Sequence, residues 1–309
     1  MLRRSLGSSG IEVSALALGS WRTFERIPQE DGVAVMTAAR DVGIDFLDDA
    51  RYDDETGTAP IPTGYSEVVF GKLFRAAGWK RDEVVVANKL WWELWPAQTA
   101  AEELDGSLGR MGFDHLDLVY SEDPPEGLAV ADVVGAIGRL MAAGKARAWG
   151  VLNWPAEKIA EAARVAAAEG LPAPCAAQLP YSLDHTHVVE DDAMSAALRE
   201  AGSSVVASFV LAGGALTGKY SSAEAGGRLT AERESPRYEE AFRMGERLRD
   251  TAAGVGTTPA RLAIAFALAN PLVASVLFGS TSPAQVTDNV GAIEVLERLD
   301  DADVERLRR

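Results

Sequence analysis

The chain has 309 residues, and 46 acidic against 30 basic side chains give it a formal net charge of −16. That balance excludes the basic footprint of a nucleic-acid binder and reads as solubility. A single cysteine, Cys175, excludes an intramolecular disulfide and a multi-cysteine metal centre.

The opening MLRRSLGSSG lacks the apolar centre of a signal peptide, and no apolar run reaches the roughly 18 residues of a membrane span. A cytoplasmic protein with neither a membrane nor a nucleic-acid partner is expected. LRRSLGSSGIEVS reads as a small hairpin around SSG. The first apolar run, VSALALG (13–19), is followed by SWRTFERI, without the glycine-rich turn of an open dinucleotide-binding sheet. DGVAVMTAARDVG then places Val35, Ala39 and Val42 at helical spacing and closes on Gly43.

The second run, IDFLDDA (44–50), leads into a polar, Pro/Gly-rich insertion at 53–64 and the helical pattern YSEVVFGKLFRAAG. EVVVANKL (83–90), LDLVYSED (116–123) and ARAWGVLN (146–153) follow, each succeeded by a helical stretch. CAAQLPYS (175–182), SVVASFVL (204–211), a long polar stretch at 223–240 and ASVLFGS (274–280) complete the series. Proline tends to open the intervening helices and glycine to follow them.

Eight apolar runs, rich in Val, Leu and Ala, suit parallel strands covered on both faces. Alternating with helices, they predict an α/β fold of the (β/α)8 TIM-barrel class, with the hairpin capping its bottom. No linker divides the chain, so residues 1–309 are expected to form one domain.

In such a barrel, polar residues at the C-terminal ends of strands share the active face. They are Asp48, Asp49 and Tyr52, then Lys89, Glu122, Asn153, Gln178 and Tyr181. An ammonium beside a phenol lowers the phenol's pKa, and a carboxylate holds the ammonium in place. Asp48, Tyr52 and Lys89 can therefore form a tuned proton donor. On spacing alone, a structural Asp–Lys pair fits as well.

Motifs in order along nearly the whole chain resemble the aldo-keto reductase superfamily. FLDDARY is similar to its FDTAxxY, YSEVVFGKLF to SExxLGxAL, VVVANKL to VIxTK, and WGVLN to GVSN. CAAQLPYS is similar to QxxYN or QxxYS, and LAGGALTGKY to LGGGLLTGKY. LALGSW and LFGSTSPAQVTDNVGAIEVL most resemble the branch containing the β-subunits of voltage-gated potassium channels.

The resemblance implies an NADPH-dependent reductase of a small-molecule carbonyl. It implies Tyr52 as general acid, Lys89 as its tuner and Asp48 as the lysine's partner. Asn153 and Gln178 would hold the nicotinamide carboxamide, and Gly19, Ser20 and Trp21 would border the cofactor. Ser208, Phe209 and Leu211 would line it, with Phe209 either stacking on it or packing in the core. Gly279, Ser280, Gln285, Asp288 and Asn289 would face the adenosine end, with a helix beginning near Ser282.

Several positions depart from the pattern. Glu122 stands where the family's fourth-strand motif DLxxxH has histidine. Steroid double-bond reductases of the superfamily share that exchange, so an enone C=C joins the carbonyl as a candidate substrate. A protonated Glu122 can donate to a carbonyl; an ordinary solvated glutamate is the alternative. Tyr52 lies four residues after Asp48 where five is usual, which leaves Tyr65 as a rival proton donor. Ser208 replaces a tyrosine, Leu152 a serine and Gln285 a common arginine. These changes keep a second function open, a cofactor-binding redox sensor with little turnover. Trp91, Trp92 and Trp95 form either an aromatic wall for an apolar substrate or loop packing. His185 and His187 stand without further clustered donors, so no metal is expected.

Overall fold

The computed structural model describes residues 1–221, 229–232 and 235–308. β1 (Arg3–Ser5) and β2 (Glu12–Ser14) pair antiparallel as the expected hairpin. A 3-10 turn at Gly7–Ser9 reverses the chain, with Gly10 in the left-handed region at φ 73°.

Eight parallel strands then close a barrel: β3 (Leu16–Gly19), β4 (Phe46–Asp48), β5 (Val85–Leu90), β6 (Leu116–Glu122), β7 (Ala146–Leu152), β8 (Ala176–Pro180), β9 (Ser204–Ser208) and β10 (Val273–Phe278). β10 pairs with both β3 and β9, which shuts the sheet. The eight strands correspond one to one with the eight apolar runs.

The runs are continuously apolar because each strand buries both faces. Ala17, Phe46, Leu118, Tyr120, Ala148 and Val206 fill the interior. Their neighbours Leu16, Leu47, Val119, Val151 and Val205 pack outward against the helices. Tyr120 lies across the interior only because residue 150 is glycine. A Cβ there would stand 3.0 Å from the Tyr120 ring and 2.4 Å from the Ala176 carbonyl oxygen.

The helical layer comprises α1 (Gln29–Asp41), α2 (Tyr65–Ala76), α3 (Ala100–Met111), α4 (Val130–Ala142), α5 (Ala156–Glu169), the single turn α6 (His187–Glu190) and α7 (Asp192–Ala201). It continues with α8 (Glu239–Gly254), α9 (Pro259–Ala269), α10 (Pro283–Val290), α11 (Ala292–Leu296) and α12 (Asp301–Arg308). Local chemistry starts these helices. Thr99 and Glu102 form a reciprocal capping box on α3. Thr258 caps α9, whose first residue is Pro259.

The hairpin plugs the bottom of the barrel. Leu6 and Val13 are fully buried among the interior residues. Arg4 donates to the carbonyls of Val273 (2.5 Å) and Leu268 (2.9 Å), and Gly7 N–H donates to Ser204 Oγ at 2.8 Å.

Element ends differ from the apolar runs where apolar residues continue into turns. Val13 and Ser14 belong to the hairpin rather than to the barrel strand. The seventh barrel strand stops at Ser208 because Phe209 (φ 57°) and Ala212 (φ 47°) turn the chain into a 3-10 segment, Ala212–Thr217. The insertion at 53–64 folds back on itself: Asp54 N–H donates to Pro62 C=O and Gly64 N–H to Tyr52 C=O, both at 2.8 Å. Glu55 accepts from Arg26 (2.8 Å) and pairs with Arg22 (2.5 Å), which pins the insertion to the loop after β3. Of the polar stretch at 223–240, residues 223–228 and 233–234 lie outside the described residues. A 3-10 turn at Pro236–Tyr238 leads into α8.

Candidate active site and nucleotide cleft

Asp48, the last residue of β4, pairs in register with Ala87 of β5, and Lys89 lies two residues further along on the same face as Ala87. Lys89 Nζ lies 2.6 Å from Asp48 Oδ1, and both side chains are almost completely buried. The opposite carboxylate oxygen, Asp48 Oδ2, accepts from Gln178 Nε2 at 2.9 Å. Lys89 Nζ also donates to the Asp49 carbonyl at 3.1 Å and to the Tyr52 hydroxyl at 3.4 Å.

The four-residue spacing still delivers Tyr52 to the lysine because the chain turns tightly after the strand. Tyr52 N–H donates to the Ala50 carbonyl at 2.9 Å. Ser66, at the start of α2, donates to the same carbonyl at 2.6 Å. The Tyr52 ring meets Trp91 edge-on, with centroids 6.1 Å apart. Tyr65 opens α2.

The electrostatics reverse one expectation. The Tyr52 phenol is pushed well above its ordinary range, first by burial, then by Asp48, Asp49, Glu25 and Glu67. Lys89, whose ammonium is shared with Asp48 at 2.6 Å, does not offset burial and these carboxylates. The phenol is thus held protonated at neutral pH.

Glu122 ends β6 and pairs in register with Leu152, which ends β7. Its carboxyl has no hydrogen-bond or ion-pair partner among the described residues. Burial, then Glu93, Asp123 and Glu103, pushes it above the usual glutamate range. Nearby carboxylates do have cations: Glu93 pairs with Arg51 and Asp123 with Lys158, both at 2.6 Å.

Asn153 follows β7 in the left-handed region, φ 57°, with its side chain exposed. Its N–H donates to the Gln178 carbonyl at 3.1 Å, which sets Asn153 beside Gln178 at neighbouring strand ends. Tyr181 leaves this face, contrary to the strand-end reading. It is buried, stacks on Phe266 of α9 and bonds Glu190 and Asn270. The three tryptophans also divide. Trp92 is buried and donates to Ser121 Oγ at 2.9 Å, so it is packing rather than wall. Trp91 faces Tyr52, and Trp95 packs against the core. His185 is paired with Asp184 at 3.0 Å.

Gly19, Ser20 and Trp21 leave the end of β3, next to Gly279 and Ser280 after β10. Gly19 keeps this lip narrow: a Cβ there would approach Leu277 Cδ1 to 3.0 Å. Ser280 Oγ is buried without a hydrogen-bond partner among the described residues, an orphan donor that a ligand could use. α10 starts three residues later, with Ser282 at its cap position making no side-chain cap bond. Its first residue is Pro283, which has no N–H, and the Gln285 and Val286 N–H groups donate to the Ser282 carbonyl, so the end offers an anion little beyond its dipole. Together the lip, Ser280 and that dipole fit a nicotinamide dinucleotide.

Gln285 Oε1 accepts from Thr281 N–H at 2.8 Å, which leaves its amide nitrogen as the donor. Asn289 is buried. The Asp288 carboxylate is taken by Arg261 Nε (2.9 Å) and Thr258 Oγ1 (3.0 Å) on α9, so it braces the helix from behind. Ser208 and Leu211 are partly buried at the end of β9, and Phe209 packs against the core.

Sequence reasoning placed Asp49 at the strand end but gave it no role, and it missed the buried Glu67–Arg110 pair. Glu67 is fully buried, bonded by Arg110 Nε at 2.5 Å and Asn88 Nδ2 at 2.9 Å. Their signal was spread over three elements far apart in the chain.

The chain is thus a closed (β/α)8 barrel with a buried Asp48–Lys89 pair and the half-buried Tyr52 at its C-terminal face. The sequence profile of the aldo/keto reductase family matches residues 15–309, and the chain belongs to that family. Among similar proteins is a probable voltage-gated potassium channel subunit beta from Oryza sativa subsp. japonica, 32% identical over 314 aligned residues, covering 97% of this chain and 93% of the relative. A probable subunit of the same description from Arabidopsis thaliana is 28% identical, at 97% and 93% coverage. A putative one from Schizosaccharomyces pombe is 31% identical, at 96% and 89%. No single helix among the described residues is long and apolar enough to cross a membrane.

Proposed function

We propose that the protein is an NADPH-dependent reductase of a small-molecule carbonyl, or of an enone C=C, acting in the cytoplasm. The observation that carries this reading is Tyr52, protonated and 3.4 Å from a lysine that is itself fixed by Asp48.

A bound nicotinamide supplies the hydride. Gln178 and Asn153 would orient its carboxamide, while Ser280 and the dipole at the start of α10 would favour its phosphates. As negative charge grows on the substrate oxygen, the Tyr52 hydroxyl gives it a proton. Lys89 Nζ then faces the phenolate and stabilises it, so a phenol with a raised pKa still functions as an acid. Trp91 walls the substrate beside Tyr52. Tyr52, rather than Tyr65, is assigned the donor role because it alone hydrogen-bonds Lys89.

Glu122 is assigned the second donor to the substrate oxygen, in its neutral form. Its raised pKa keeps it protonated to higher pH than an ordinary glutamate. The sign follows: kcat/KM falls as pH rises through that pKa, because the ionised form repels the developing charge. Glu122→Gln, a donor at every pH, is expected to remove the falling limb. A pH profile that keeps this limb in the variant rejects the role.

A second reading is a redox sensor that binds cofactor and turns over slowly. The raised Tyr52 phenol and the potassium channel β-subunit names of the relatives favour it. Titration with NADPH and with NADH, followed by nicotinamide fluorescence, is the first test, and tighter binding of NADPH is expected. Failure to bind either nucleotide sinks both readings. Binding without turnover across aldehydes and enones leaves the sensor.

A further inference from the structure

We infer that Asp49 is a positioning residue that works as a neutral carboxylic acid, tying Ser20 and the cofactor lip after β3 to the end of β4. The inference rests on the nucleotide reading above for its consequence, and on local geometry for its chemistry.

Asp49 is completely buried. One carboxyl oxygen, Oδ1, is hydrogen-bonded to Ser20 Oγ, and the other, Oδ2, is buried with no partner. Ser20 is held a second time, through its N–H to the Asp48 carbonyl at 3.1 Å. Residues 19–21 are therefore fastened to β4 by backbone and side chain together. The family motif FDTAxxY has threonine where this chain has Asp49, so the carboxyl departs from that motif.

The charges around Asp49 are already matched without it. Asp48, on the same strand, is neutralised by Lys89. Glu67, on α2, is neutralised by Arg110 from α3. Lys89 has three N–H donors. They go to the Asp48 carboxylate, the Asp49 backbone carbonyl and the Tyr52 hydroxyl, so none reaches the Asp49 carboxyl. Two cations face three carboxyls, and Asp49 is the one without an ion-pair partner among the described residues. Ionising it there would bury an unpaired charge next to Glu67 and beneath Tyr52, at high cost. Burial first, then Glu67, pushes its carboxyl well above the usual aspartate range, outweighing the opposing pull of Ser20, the Ala50 backbone and Lys89. A neutral acid avoids that cost and keeps a hydrogen bond to Ser20.

The test uses the full chain grown with carboxyl-labelled aspartate. Infrared spectra near neutral pH are expected to show the band of a protonated aspartic acid, absent from Asp49→Asn. The label keeps glutamates such as Glu122 out of the signal. In parallel, hydrogen exchange over residues 16–24 is expected to stay slow in Asp49→Asn and to quicken in Asp49→Ala. NADPH is expected to bind Asp49→Asn as it binds the wild type, and Asp49→Ala up to about tenfold more weakly, the scale of one lost hydrogen bond. An aspartate spectrum without the protonated band overturns the inference. So does equal behaviour of the Asn and Ala variants in exchange. If the wild type itself fails to bind NADPH, the nucleotide reading falls, while the infrared and exchange results still decide the state and role of Asp49.

Discussion

Tyr52→Phe is expected to lower kcat by about 10²–10⁴-fold, the range for loss of a positioned general acid. Nucleotide affinity should be unchanged, because the substitution keeps the ring against Trp91 and leaves Lys89, Asp48 and Gln178 in place. Single-turnover kinetics with an aldehyde, alongside NADPH titration, separates the two effects. A variant with wild-type kcat would remove Tyr52 from the chemistry and return Tyr65 to consideration.

Lys89→Met should be the most damaging single change, and in two ways. It strands Asp48, nearly fully buried, with only Gln178 as a side-chain donor among the described residues. Breaking one half of a buried pair costs about 3–5 kcal/mol, which a urea midpoint would register. It also removes the cation that supports the Tyr52 phenolate, so turnover is lost as well. Adding Asp48→Asn discharges the stranded carboxylate. The double variant is expected to regain most of the stability and none of the activity. If the double variant were as unstable as the single, packing rather than charge would be the reason for the pair.

The barrel was legible because its strands bury both faces. Each therefore wrote an apolar run into the sequence, such as VVVANKL or LDLVYSE. The hairpin was legible from SSG. Strand ends were less so, since Phe209 and Val210 are as apolar as a strand although the chain turns at Phe209. The Asp48–Lys89 pair could be read from strand-end placement. The direction of the Tyr52 shift could not. It depends on how far Asp48 spends the lysine's charge, and on Glu67 and Asp49, whose burial is a tertiary fact. Trp92 was ambiguous for the same reason: adjacent residues in one loop, Trp91 and Trp92, point to different environments.

The bottom plug also constrains the order in which the molecule can be completed. Arg4 leaves the ribosome well before two of its partners, the carbonyls of Leu268 and Val273, which lie 264 and 269 residues further along the chain. Synthesis adds about 5–20 residues per second, so the amino-terminal hairpin waits on the order of tens of seconds for its seat. During that wait Leu6 and Val13, fully buried in the finished molecule, have no barrel interior to enter. The nascent chain thus carries an unseated apolar hairpin until the last barrel strand arrives, and that interval is when a holding chaperone has most to protect.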